Sequence, residues 1–202
     1  MTIDEIMRAA PVIPVLVLEE ELDWAALAET FVAAGLPVLE ITLRTPPALD
    51  AIKGMAQVPG AIVGAGTVLN EAQLAQSIDA GSRFTVSPGL TNPLALAARD
   101  TAIPFLPGIA TAADIMRGLD VGLDRFKFFP AVSSGGIPAL KALSGPFGNI
   151  RFCPTGGIRP DTAADWLALP SVLCVGGTWF VKPGDGLDAI GERARAAAGL
   201  AR

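Results

Sequence analysis

A (β/α)8 barrel of the TIM type, preceded by one short extra helix, is the α/β fold that the sequence predicts. Three observations predict it. Short apolar or β-branched runs recur eight times along the 202 residues. Between them lie stretches with helix-start chemistry and apolar residues at helical spacing. No linker, low-complexity tract or shift of composition interrupts the series, so residues 1–202 are expected to form one domain. Alternation of strand and helix makes the strands parallel, because each return crossing needs a helix. Eight such units are what a closed barrel uses. An open doubly wound sheet is the competing arrangement.

The elements follow in order. Thr2-Ile3-Asp4-Glu5 has the pattern of a capping box, which predicts the short helix ahead of the first strand. The predicted strands are Val12–Leu18, Pro37–Leu43, Ala61–Ala65, Arg83–Ser87, Pro104–Leu106, Arg125–Phe129, Arg151–Thr155 and Leu173–Gly176. Asn70 and Thr111 are helix-start residues, and Gly35 and Gly81 stand where helices are expected to stop.

Composition narrows the chemistry. A hydrophobic fraction of 51% with only 17% charged residues argues for a packed globular chain. So little charge leaves apolar surface to cover, and burial in an oligomer is expected. A net charge of −5 gives no basic face for a nucleic acid. Met1-Thr2-Ile3-Asp4-Glu5 lacks the basic start of a signal peptide, and the apolar run Pro11–Leu18 is too short to span a bilayer. A soluble cytoplasmic protein without membrane partners is the expectation. Cys153 and Cys174 fit it as small buried thiols. The chain has no histidine, which removes Ser-His-Asp catalysis, histidine acid–base pairs and most zinc or non-haem iron sites. Any reaction must use carboxylates, lysine, hydroxyls and backbone.

Active sites of such barrels gather at the C-terminal ends of the strands. In the second strand Leu39, Ile41 and Leu43 share one face, suited to packing under helices. Glu40, Thr42 and Arg44 share the other and are expected to point into the barrel. A carboxylate and a guanidinium there need partners. They read either as a structural ion pair or as a base and an anion clamp. In the sixth strand Arg125, Lys127 and Phe129 face inward, and Phe126 and Phe128 outward. Of the four lysines, Lys53, Lys127, Lys141 and Lys182, only Lys127 falls in a predicted strand. Desolvation disfavours an ammonium and frees its lone pair for attack on a ketone. Lys127 is therefore either a Schiff-base nucleophile or a buried lysine paired with a carboxylate. The last two strands end in Gly156-Gly157 and Gly176-Gly177, where backbone N–H groups approach an anion closely. Loops in these two positions hold phosphate in barrels of this kind.

Taken in order, several segments resemble the 2-keto-3-deoxy-6-phosphogluconate aldolase family, and over nearly the whole chain. They are Glu40-Ile41-Thr42-Leu43-Arg44-Thr45, Val63-Gly64-Ala65-Gly66-Thr67-Val68 and Val86-Ser87-Pro88-Gly89-Leu90-Thr91. Phe126-Lys127-Phe128-Phe129-Pro130-Ala131, Arg151-Phe152-Cys153-Pro154-Thr155-Gly156-Gly157-Ile158 and Gly176-Gly177-Thr178-Trp179 complete the set. The resemblance implies a metal-free class I aldolase, usually a homotrimer, with no organic cofactor. Its substrate would be 2-keto-3-deoxy-6-phosphogluconate, split into pyruvate and glyceraldehyde 3-phosphate. Carried over by position, Lys127 would form the imine and Glu40 would be the general acid/base. Arg44 would hold the substrate carboxylate with help from Thr67 and Thr155, while Pro88 and Phe129 would wall the pyruvyl end. Gly156, Gly157 and Thr178 would receive the phosphate, with Thr178 standing where a member of the family has serine. The alternatives are the aldolase for the galactonate-derived epimer, one for 4-hydroxy-2-oxoglutarate, and a non-catalytic phosphosugar-binding barrel. A phosphate-binding isomerase or epimerase barrel is less compatible, because its metal-dependent forms rely on histidine ligands.

Overall fold

Capping chemistry sets where the helices begin. In the computed structural model, which describes residues 1–18 and 23–201, Thr2 Oγ1 accepts from the Glu5 amide at 3.2 Å. Glu5 Oε2 accepts from the Thr2 amide at 2.7 Å. This reciprocal box starts helix α1 (Ile3–Arg8), and such a cap contributes about 0.5–2 kcal/mol. The Asn70 side chain caps α4 (Glu71–Asp79) and Thr111 caps α6 (Ala112–Asp120). Gly35 and Gly81 each follow the C-cap residue of a helix, at α2 (Trp24–Ala33) and α4.

Among the described residues eight parallel strands alternate with helices: β1 (Val12–Leu16), β2 (Val38–Thr42), β3 (Ile62–Gly66), β4 (Phe84–Ser87), β5 (Phe105–Ile109), β6 (Arg125–Phe128), β7 (Arg151–Pro154) and β8 (Val175–Gly177). Their spatial order is β7-β6-β5-β4-β3-β2-β1-β8. Single bridges Phe152↔Val172 and Thr155↔Gly176 join the two ends. The Phe152 and Leu173 amides donate to Ser171 and Phe152 carbonyls at 2.8 and 3.1 Å along the same seam. The sheet is therefore a barrel and not an open doubly wound sheet.

Among the described residues two apolar clusters divide the core. The larger lies between the strands' outward residues, such as Leu39, Ile41, Phe126 and Phe128, and the helices. The smaller combines inward residues Ile13, Val38, Phe84, Val86, Leu106 and Cys153 with Ile6 and Met7 of α1. Helix α1 thus closes the N-terminal end of the barrel. Asp4 ties it there, bridging Arg8 at 2.7 Å and Arg125 at 2.6 Å. Arg125 does share an inward strand face with Lys127. It lies at the bottom of the barrel, however, paired with Asp4 and Asp124, and is structural.

Several strand ends differ from the sequence reading. β5 runs three residues beyond Leu106, through Pro107 and Gly108 to Ile109. Those two residues weaken a strand signal, and the reason for Gly108 is a close backbone approach described below. β2 stops at Thr42, so Arg44 lies beyond the strand, exposed on the following turn at the rim rather than on the strand's inward face. β6 stops at Phe128, one residue short of Phe129, and β8 starts after Cys174. Both cysteines are buried.

Candidate active site

The inward positions near the strands' C-terminal ends bring together a lysine and a carboxylate 87 residues apart in the chain. Lys127 Nζ donates to Glu40 Oε1 at 2.9 Å. Lys127 is 4% exposed and Glu40 3%, so the pair is shielded from bulk water. The Phe129 ring lies 5.3 Å from the ammonium, in cation–π range. In the parallel register Lys127 is level with Gly108 of β5 and Cys153 of β7, and Glu40 with Gly64 of β3. Thr42, next inward above Glu40, donates its hydroxyl to the Leu16 carbonyl at 3.1 Å.

A second pair stands at the rim. Arg44 Nε donates to Thr67 Oγ1 at 3.1 Å. Thr67 has φ 58°, a left-handed conformation uncommon for a β-branched residue, with a cost of about 1–3 kcal/mol. This conformation holds the Thr67 hydroxyl at the mouth of the barrel, where it orients the exposed Arg44 guanidinium.

Thr155 is buried at the end of β7, with its hydroxyl 3.5 Å from the Cys153 carbonyl. After it come Gly156 and Gly157, at φ +101° and +78°. A Cβ on Gly157 would lie 2.8 Å from Val132 Cβ, so this turn needs glycine for both conformation and space. The bridge Thr155↔Gly176 sets β7 and β8 side by side, which puts Gly156-Gly157 and the exposed Thr178 on neighbouring loops. Pro88 follows β4 and is half-buried.

Three inward glycines leave space to a neighbour, and of these the sequence had pointed only to Gly176, for its place in a Gly-Gly turn. The space of each missing side chain is taken by a neighbour. A Cβ on Gly66 would meet Glu40 Oε1 at 2.3 Å, one on Gly108 the Pro88 carbonyl oxygen at 2.1 Å, and one on Gly176 Thr155 Oγ1 at 2.2 Å. Only Gly176 falls inside a predicted strand, where glycine points to close approach; β3 and β5 were expected to end at Ala65 and Leu106, short of Gly66 and Gly108.

Comparison with known proteins identifies the family. The family model for KDPG and KHG aldolases matches residues 3–191. The chain belongs to the KDPG and KHG aldolase family. Among KDPG and KHG aldolases, the 2-dehydro-3-deoxy-phosphogluconate aldolase of Zymomonas mobilis is 59% identical over 182 residues, 90% of this chain and 88% of that one. A crystal structure of the Zymomonas mobilis enzyme with 3-phosphoglycerate superposes with TM-score 0.96 at 55% identity, covering 99% of this chain and 96% of that one. The KDPG aldolase of Legionella pneumophila, with pyruvate captured as a covalent carbinolamine, superposes with TM-score 0.93 at 42% identity over 98% and 99% of the two chains.

Proposed function

We propose that this protein is a class I aldolase, an aldehyde-lyase that cleaves 2-keto-3-deoxy-6-phosphogluconate to pyruvate and glyceraldehyde 3-phosphate. The observation that carries the reading is the buried Lys127–Glu40 contact of 2.9 Å. An amine beside its own proton acceptor is what imine chemistry requires. Glu40 takes the ammonium proton as the Lys127 lone pair attacks the C2 ketone. It returns that proton to the carbinolamine hydroxyl, which leaves as water. In the resulting iminium, C2 is an electron sink. Glu40, again a carboxylate, takes the C4 hydroxyl proton; the C3–C4 bond breaks, its electrons form the enamine, and the aldehyde departs. Protonation of C3 by Glu40 and hydrolysis then release pyruvate and free Lys127.

In this reading Arg44 and Thr67 bind the substrate carboxylate, helped by Thr155, and Pro88 and Phe129 enclose the pyruvyl carbons. Gly156, Gly157 and Thr178 bind the distal phosphate. The carbinolamine of the Legionella protein and the 3-phosphoglycerate of the Zymomonas one support the two halves. The family covers KHG as well as KDPG aldolases, so activity on 4-hydroxy-2-oxoglutarate belongs to the same proposal. The reading takes the protein to be cytoplasmic, since phosphorylated sugar acids do not diffuse across membranes. Exposed Leu69, Met116 and Leu119, with so low a charged fraction, support assembly into a homotrimer.

Pyruvate release from 2-keto-3-deoxy-6-phosphogluconate, its galactonate-derived epimer and 4-hydroxy-2-oxoglutarate tests the assignment. The highest kcat/KM is expected on the first. Preference for the epimer would transfer the assignment to it. Pyruvate from none would leave a phosphosugar-binding barrel.

A further inference from the structure

Strand β3 has glycine at two successive inward positions, Gly64 and Gly66. Glycine in a strand interior gives up side-chain packing and costs conformational entropy. At Gly64 the compensation is steric: a Cβ there would fall 2.4 Å from the Phe84 ring, which fills the barrel below the site. At Gly66 the neighbour is the reacting carboxylate. A Cβ would lie 2.3 Å from Glu40 Oε1, 2.7 Å from its Cγ and 2.8 Å from its Cδ. Non-bonded contacts this short are essentially never seen at a Cβ, and they involve three of the five heavy atoms of the glutamate side chain. Gly66 is not among the residues with positive φ, so no turn or left-handed conformation demands glycine there. The oxygen in question, Oε1, is the one that accepts from Lys127 Nζ at 2.9 Å.

We propose that Gly66 is a positioning residue for proton transfer: its missing side chain is the slot that holds the Glu40 carboxylate against Lys127. The inference rests on the reading of Glu40 as the proton carrier. A methyl group at position 66 drives the carboxylate out of the slot while leaving the Lys127 amine in place. Imine chemistry and proton transfer then separate, which a merely structural glycine would not achieve.

The test is Gly66→Ala, compared with Glu40→Gln, Glu40→Asp and the double variant G66A/E40D. Two readouts are needed: borohydride-trapped pyruvate at saturation, and exchange of the pyruvate methyl protons into deuterated water. In G66A, trapping is expected to persist while exchange falls by about 10²-fold, within the range of general acid–base catalysis. Aspartate is one methylene shorter: it lacks the oxygen that comes closest, at 2.3 Å, and only its own Cγ, at the 2.7 Å position, has to turn away about χ1. E40D is therefore expected to slow exchange in the wild-type background and to speed it in the G66A background. Wild-type exchange in G66A, or an equal effect of E40D in both backgrounds, overturns the proposal. If G66A alone does not fold, the double variant decides: a folded protein with exchange near that of E40D supports the slot, and an unfolded one refutes it. Undiminished exchange in E40Q would instead remove Glu40 as proton carrier, a failure distinct from that of Gly66.

Discussion

Lys127 Nζ and Glu40 Oε1 are 2.9 Å apart inside the barrel, each on the inward face of its own strand and each almost without solvent. A charge pair in such a place is expensive to desolvate, and as a source of stability it is a poor choice beside apolar packing. Its location, near the C-terminal ends of β2 and β6, is where barrels of this kind bind their ligands. Cost without structural return is what a reactive site looks like.

That cost has a measurable form. Replacing Lys127 by Met leaves Glu40 buried without its cation and is expected to lower stability by about 3–5 kcal/mol. The double variant K127M/E40Q removes both charges and is expected to be more stable than K127M. Urea unfolding at pH 7 checks this; a double variant no more stable than the single one would mean that the two groups are not coupled.

Glu40→Gln keeps the shape and the acceptor oxygen facing Lys127 but cannot carry a proton. Cleavage of 2-keto-3-deoxy-6-phosphogluconate and exchange of the pyruvate methyl protons are both expected to fall by about 10²–10⁴. Steady-state cleavage and deuterium exchange followed by NMR measure them. Exchange at the wild-type rate would assign the base elsewhere.

At the phosphate end the relevant residue is Thr178, exposed on the loop after β8. Its hydroxyl donates to a charged acceptor in the proposed complex, a contact worth about 1.5–3 kcal/mol. Thr178→Ala is therefore expected to reduce kcat/KM on the phosphorylated substrate by about 10- to 150-fold. On 4-hydroxy-2-oxoglutarate it is expected to change little. Equal losses on both would make Thr178 a support of the barrel.

The opposite end of the barrel has its own pH signature. Burial pushes the Asp4 carboxyl up, but hydrogen bonds and charge from Arg8 and Arg125 outweigh it and hold the group below the usual carboxylate range. A depressed folded-state value contributes stability above the unfolded value of about 3.9 and loses it as pH falls through the folded one. Asp4→Asn is thus expected to be less stable than the wild type at pH 7, with the gap closing as pH falls through the lowered folded-state value. Thermal melts across that range check the sign; a gap independent of pH would exclude the linkage.

The barrel was legible in the sequence because parallel strands and helices write different periods, and Thr2, Asn70 and Thr111 mark helix starts by side-chain chemistry. β5 was half hidden, since Pro107 and Gly108 imitate a turn; Gly108 is there because the Pro88 backbone occupies its side-chain space. Arg44 was expected inside the barrel by extension of an alternating pattern. The pattern holds only while the strand does, and β2 ends at Thr42. Lys127 and Glu40 were each visible as odd residues on apolar strands. Their contact was not, because it depends on how far the barrel turns between β2 and β6. The same holds for Gly66: the residue is plain in the sequence, the carboxylate beside it only in the fold.

Borohydride reduction in the presence of pyruvate, followed by peptide mass mapping, tests the Schiff-base assignment most directly. One reduced pyruvyl adduct is expected, on the peptide containing Lys127. It is expected to be absent from Lys127→Arg, whose guanidinium offers no free lone pair. An adduct on Lys53, Lys141 or Lys182, or none on a folded and active protein, would contradict it.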